Sequence, residues 1–243
     1  MAVRHQFELQ KAEVVGNVSK WPLTKSYKAK ASKQDKKEKL DELIAWTLAN
    51  LSLSDAMQPI LYALMIETGQ DAAQQIGLDP SQFNPLDPAI VKSARAQADK
   101  AAGTIDQETD KQLRATLSEG MDSEESTDEL LARIEGVFGS ALTLRTARIA
   151  TSEAYRAMGN ADVATWFASG TVTGKEWYTA KDERVCPWCD QLDGTITDLT
   201  GDFYKLGDSV EAASRVLNIA YESISAPPLH VSCRCVLMDV QLA

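Results

Sequence analysis

Residues 143–170 read TLRTARIATSEAYRAMGNADVATWFASG, and they decide the fold class. Alanine recurs at Ala147, Ala150, Ala154, Ala157, Ala161, Ala164 and Ala168, alternating steps of three and four, the period of a helix with one continuous seam. The spacing predicts a helix over 143–169, ended by Gly170, whose small-residue seam admits close approach by a neighbouring element. On another face Arg148, Ser152, Arg156 and Asn160 follow at intervals of four, with Glu153 beside them, a polar row expected to form hydrogen bonds or a site.

Upstream the chain punctuates itself as further helices. Leu40, Leu43, Ile44, Leu48 and Leu51 form an apolar stripe. Ser54 and Asp55 offer a cap for a second helix, with Pro59 near its first turn and an apolar run from Ile60 to Ile66. Asp87 and Pro88 suit a cap and first helical position, and Gly103 is expected to close that helix. Thr104 with Gln107, and Ser126 with Glu129, have capping-box spacing and predict two more starts, ending near Gly120 and Gly139.

Charge divides the chain. Residues 1–39 carry a net +6, residues 40–140 a net -12, and residues 141–243 a net -4, for -10 in all. The positive part lies in Lys25, Lys28, Lys30, Lys33, Lys36, Lys37 and Lys39, which reads as an exposed arm. Such an arm suits DNA, because each lysine near a phosphate releases a condensed counterion. The expected organisation is a basic arm over 1–39, a helical domain over 40–140 and a third domain over 141–243. The longest apolar run is far short of the roughly 20 residues a membrane span needs. Residues 1–9 lack the apolar core of a signal peptide, which implies synthesis into the cytosol.

Downstream of Gly170 the texture becomes extended. Thr171 to Thr173, Glu176 to Thr179 and Cys235 to Val240 have the β-branched and aromatic bias of strands. The fold class is therefore α+β: a helical N-terminal body with one long alanine-rich helix, then a small β-rich unit. That unit holds all four cysteines, a distribution unlike a disulfide-stapled secreted domain. Cys186 and Cys189 form a C-x2-C pair; some forty residues later come His230, Cys233 and Cys235. Zinc takes four such donors at tetrahedral corners. Cys186, Cys189, His230 and Cys233 are expected to fill them, with Cys235 as an alternate ligand expected to point away from Cys233. Other readings are packing cysteines, a zinc hydrolase or nuclease with an open fourth position and Glu153 as base, and a cysteine hydrolase pairing Cys233 with His230.

The run from Ala147 to Glu153 with Ala157 and Asn160, then Trp177, Asp182 to Cys189, Leu192 to Gly194, and Pro227 to Cys235 resemble, in order and approximate spacing, the phage Mu F-like head morphogenesis family of minor capsid proteins. Valine follows His230 where that family commonly has proline. The resemblance covers roughly residues 143–240. It implies a structural protein of the phage head, without an enzymatic activity, located in the virion at the portal vertex and in the host cytoplasm during assembly. Implied partners are the portal protein, with major capsid or scaffold proteins, and the implied work is head assembly, DNA packaging or ejection. Some relatives append a toxin domain; with only Val236 to Ala243 after Cys235, none is expected here.

Overall fold

The computed structural model describes residues 2–19, 38, 41, 52–123, 125–140 and 145–241. The lysines of the predicted arm lie outside these, as does the stripe from Leu40 to Leu51. In chain order the helices are α1 (Ala2–Ser19), α2 (Leu53–Gln75), α3 (Pro88–Asp122), α4 (Thr127–Ser140) and α5 (Thr146–Ser169), with a 3-10 turn at Pro80–Gln82. There follow β1 (Gly174–Tyr178), α6 (Pro187–Leu192), β2 (Ile196–Asp198), β3 (Ser209–Ala212), β4 (Arg215–Asn218) and β5 (Val236–Val240). The α+β class thus holds, with helices first and small antiparallel sheets last.

Two compact units are drawn from interleaved stretches of chain, residues 1–58 with 98–147 and residues 59–97 with 148–243. In the first, α1 packs on α4. The buried side chains are Phe7, Val14 and Val18 on α1, Ile105, Leu113, Leu117 and Met121 on α3, and Leu130, Ile134 and Phe138 on α4. Steps of three and four place each set on one face. Residues 2–19 are therefore a packed helix, although the sequence reading grouped them with the arm. Their buried Gln10 donates to Asp106 at 3.1 Å. Nearby, Arg145 donates to the Ile105 carbonyl at 2.8 Å and lies over the Phe7 ring.

Several helix boundaries follow their capping chemistry and others do not. Asp87 accepts from Ala89 N-H at 2.7 Å and opens α3. Ser126 N-H donates to Glu129 at 2.6 Å and Glu129 N-H to Ser126 Oγ at 3.3 Å, completing the capping box of α4. The cap of α2 is instead Ser52, which accepts from Asp55 N-H at 3.1 Å, and Pro59 lies well inside the helix. Gly103 does not end α3, which runs unbroken to Asp122. Thr104 Oγ1 donates back to the Lys100 carbonyl at 3.1 Å rather than capping a new helix. The apolar stripe continues through Gly103, and its burial outweighs the glycine penalty of about 1 kcal/mol.

In the second unit α5 ends at Gly170, whose φ of 65° is the left-handed conformation that terminates helices at low cost. The alanine seam is buried only in the middle, at Ala157 and Ala161, while Ala147, Ala150 and Ala168 are exposed. The closest approach is at Gly159, where an added Cβ would lie 3.2 Å from the Ala226 methyl. The sheet has the order β2-β1-β5, all antiparallel, with Trp177 opposite Leu237 and Glu176 flanked by Ile196 and Met238. Residues 171–173 are not a strand; Thr173 N-H bonds the Val240 carbonyl at 3.2 Å and leads into β1. The hairpin β3-β4 stands apart from this sheet. A cluster of Trp177, Leu192, Val210, Ile219, Ile224 and Leu229 forms the core that surrounds the cysteines.

Candidate metal centre

Cys186 stands at the start of α6, extended, with Pro187 at the first helical position. Its sulfur accepts from Cys189 N-H at 3.3 Å, the role an N-cap serine or aspartate usually fills. One short turn therefore brings two sulfurs together. The second arm, from His230 to Cys235, turns at Ser232, whose φ is 65°. Ser232 N-H donates to Ser152 Oγ on α5 at 3.2 Å. Arg234 makes two bonds to Asp182, at 2.8 and 2.6 Å, tying this arm to the approach to α6. That guanidinium holds the Asp182 carboxyl at about 2, well below its ordinary range.

The five donors gather around Cys189 as two overlapping sets rather than at one point. His230 Nε2 lies 2.9 Å from Cys186 Sγ and 3.3 Å from Cys189 Sγ. Cys189 Sγ lies 3.7 Å from Cys233 Sγ, close to the edge of about 3.8 Å expected for two sulfurs sharing a tetrahedral zinc. The donors fall into two triads, Cys186-Cys189-His230 and Cys189-Cys233-Cys235, each within 4.8 Å and sharing Cys189. Cys235 therefore does not point away. Residues two apart on an extended chain share a face, so Cys233 and Cys235 project together, both nearly fully buried.

Electrostatics within the cluster match its crowding. Hydrogen bonds toward Cys233 and Cys235, then burial, push the Cys189 thiol far up, while Cys233 is pulled down by accepting from Cys189 and Cys235. Three buried sulfurs this close do not all ionise without a cation. His230 is prepared differently. Its Nδ1 lies 2.9 Å from the Val231 carbonyl, which only accepts, so the proton is on Nδ1 and the Nε2 lone pair faces the sulfurs. That is the tautomer and orientation of a metal-ligating imidazole. The donor types fit zinc, while Cys233 lies more than 4.8 Å from at least one of Cys186 and His230, so the expected quartet is not drawn into one tetrahedron; with His230 turned to Cys186 and Cys189, no Cys233-His230 nucleophile pair forms.

Apart from Arg148, the polar row on α5 is engaged in bonds within its own unit. Gln97, which the sequence reading did not single out, donates to both the carbonyl (2.8 Å) and the carboxylate (3.0 Å) of Glu153. It also accepts from Asn160 at 3.2 Å. Arg156 pairs with Glu222 at 2.6 Å and sits 3.6 Å from Glu153. Ser152 holds the second cysteine arm, as above. Arg148 is exposed and has no side-chain partner among the described residues. Glu153 is thus committed to Gln97 and Arg156.

Two further groups were not anticipated. Lys175 on β1 is buried, donates to the Leu199 carbonyl at 2.8 Å and lies over the Phe203 ring; burial lowers its pKa against the pull of Asp198 and Asp202. The Asp182-Arg234 clasp was visible only as two charged residues inside the paired cysteine motifs.

Residues 95–238 match the family described as Phage Mu protein F like protein, and the chain belongs to that family. The match begins well before the motifs read from sequence, within α3. No curated protein and no solved structure matches the chain. Among the described residues, no helix is long and apolar enough to cross a membrane.

Proposed function

We propose that this protein is a structural minor component of a tailed-phage head, acting at the portal vertex in head assembly and in DNA packaging or ejection. The observation that carries the reading is the family match over residues 95–238, a family of head morphogenesis. The build of the second unit supports a non-enzymatic role: its polar row bonds internally, and its cysteine arms fasten the chain end to α5. The lysines from Lys25 to Lys39 are proposed to contact portal or packaged DNA. Cross-linking in assembling heads, followed by identification of the linked peptides, tests the assignment. Linkage to the portal protein is expected; a protein absent from purified heads refutes it.

Zinc held by Cys186, Cys189, His230 and Cys233 is proposed as the clamp of this unit, with Cys235 the alternate ligand. Zinc supplies folding free energy at such closed sites and no redox chemistry. One zinc per chain, whose removal unfolds the second unit, is the expected result. Turnover lost from a zinc-loaded and still folded Cys233→Ser chain supports a hydrolase instead.

A further inference from the structure

We infer that the outer half of the sulfur cluster is an open metal site: Cys186, Cys189 and His230 hold one zinc ion, whose fourth corner takes a water or a small anion from solvent. This rests on the zinc reading above for the ion and deepens it at the fourth corner, which the quartet gave to Cys233. These three donors lie within 4.8 Å of one another, whereas among the described residues no group that close contains all four of the quartet. Closed structural sites use four protein donors; sites that bind an outside ligand use three and leave one corner open. Two thiolates with one imidazole is a donor set of the open kind.

The triad is arranged for an ion and faces outward. His230 Nε2 is 2.9 Å from the Cys186 sulfur and 3.3 Å from that of Cys189, a few tenths of an ångström short of the edge of about 3.5 Å in a tetrahedral zinc site, so a small withdrawal of the imidazole seats the ion. The Nδ1 proton is engaged by the Val231 carbonyl, which leaves the Nε2 lone pair to the metal. Cys186 and His230 are half-buried, while the other triad, Cys189, Cys233 and Cys235, is buried throughout. Solvent therefore reaches the ion from the side of Cys186 and His230. Cys233 stands behind Cys189, where its sulfur, 3.7 Å away, supports that of Cys189 by a hydrogen bond instead of binding the ion. A cleft of about 20 Å³ at the donors has room for about one water-sized group and none for a substrate molecule. Arg184 and Arg234 line it and share the Asp182 carboxylate, so the rim carries a net positive charge that favours a monodentate anion over a neutral ligand.

Metal binding by the full chain tests this, with zinc and cobalt each competed against a chelator. Cys186→Ser, Cys189→Ser and His230→Ala should each weaken binding by about 100-fold or more, while Cys233→Ser and Cys235→Ser keep one ion with affinity within about tenfold of the parent. Cys233→Ala is a second variant should the serine disturb the core. Azide added to the cobalt-substituted parent should shift the visible absorption of the ion along a one-site curve. X-ray absorption at the zinc edge of the parent should count two sulfur ligands. Loss of the ion from both Cys233 variants, a count of three or four sulfurs, or a cobalt spectrum indifferent to azide means a corner filled by protein and overturns the inference while leaving zinc in place. An ion retained at full affinity by His230→Ala overturns it equally. A parent chain that binds neither zinc nor cobalt refutes the zinc reading itself.

Discussion

Replacing Asp162 with asparagine should stabilise the protein increasingly as pH rises above about 4, with the full effect reached above about pH 7. Asp162 lies on α5, where burial, with the like charge of Asp71 behind it, pushes its carboxyl up from 3.8 to about 7. A carboxyl raised in the native state favours folding below its unfolded value, and that contribution is lost as pH rises from about 4 through about 7. The full gap corresponds to about 4 kcal/mol at pH 8 or above. Asp162 keeps some contact with solvent, so about 2 kcal/mol is the expected gain. Urea unfolding followed by tryptophan emission suits the measurement, since Trp166 is buried on the same helix. The Asp162→Asn and parent chains should have nearly equal midpoints at pH 4, while at pH 8 the variant should unfold at higher urea. An equal difference at both pH values, or a less stable variant at pH 8, would refute the assignment of a buried, reluctantly ionised carboxyl.

Asp182 should behave in the opposite sense. Its carboxyl is depressed to about 2 by Arg234, so the clasp stabilises above about pH 4 and is lost as pH falls toward 2; Asp182→Asn should remove that part of the acid transition in a pH titration of unfolding. Two glycines should separate by their surroundings in thermal melts. Gly103→Ala meets nothing within 4 Å and should stabilise α3 by up to about 1 kcal/mol, whereas Gly159→Val should cost about 1 to 3 kcal/mol against Ala226 and Pro227. At the β3-β4 turn, Ala213 and Ser214 have φ of 49° and 60°, left-handed values that side chains resist. The pair Ala213→Asn with Ser214→Gly should therefore stabilise the hairpin by about 1 to 2 kcal/mol, read as slower amide exchange at Val210 and Leu217.

The amino-acid sequence by itself determined what depends on nearby residues. The alanine period and Gly170 mark α5, the Ser126-Glu129 box starts α4, Asp87-Pro88 starts α3, and the change of composition after Gly170 announces the strands. The donor types of the metal centre are equally local, since Cys186 and Cys189 meet within one turn of α6. Tertiary structure decided the rest. Gly103 is a stop signal in sequence, yet α3 passes through it because the side chains on either side are buried together. Cys235 joins the cluster because its spacing from Cys233 and the turn at Ser232 put both sulfurs against Cys189, more than 40 residues earlier in the chain. Gln97 and Lys175 carry no signal at all in one dimension. A buried glutamine bridging Glu153 to Asn160, and a lysine capped by the Leu199 carbonyl, acquire their roles only when distant segments exclude water around them and leave each other as the remaining hydrogen-bond partners.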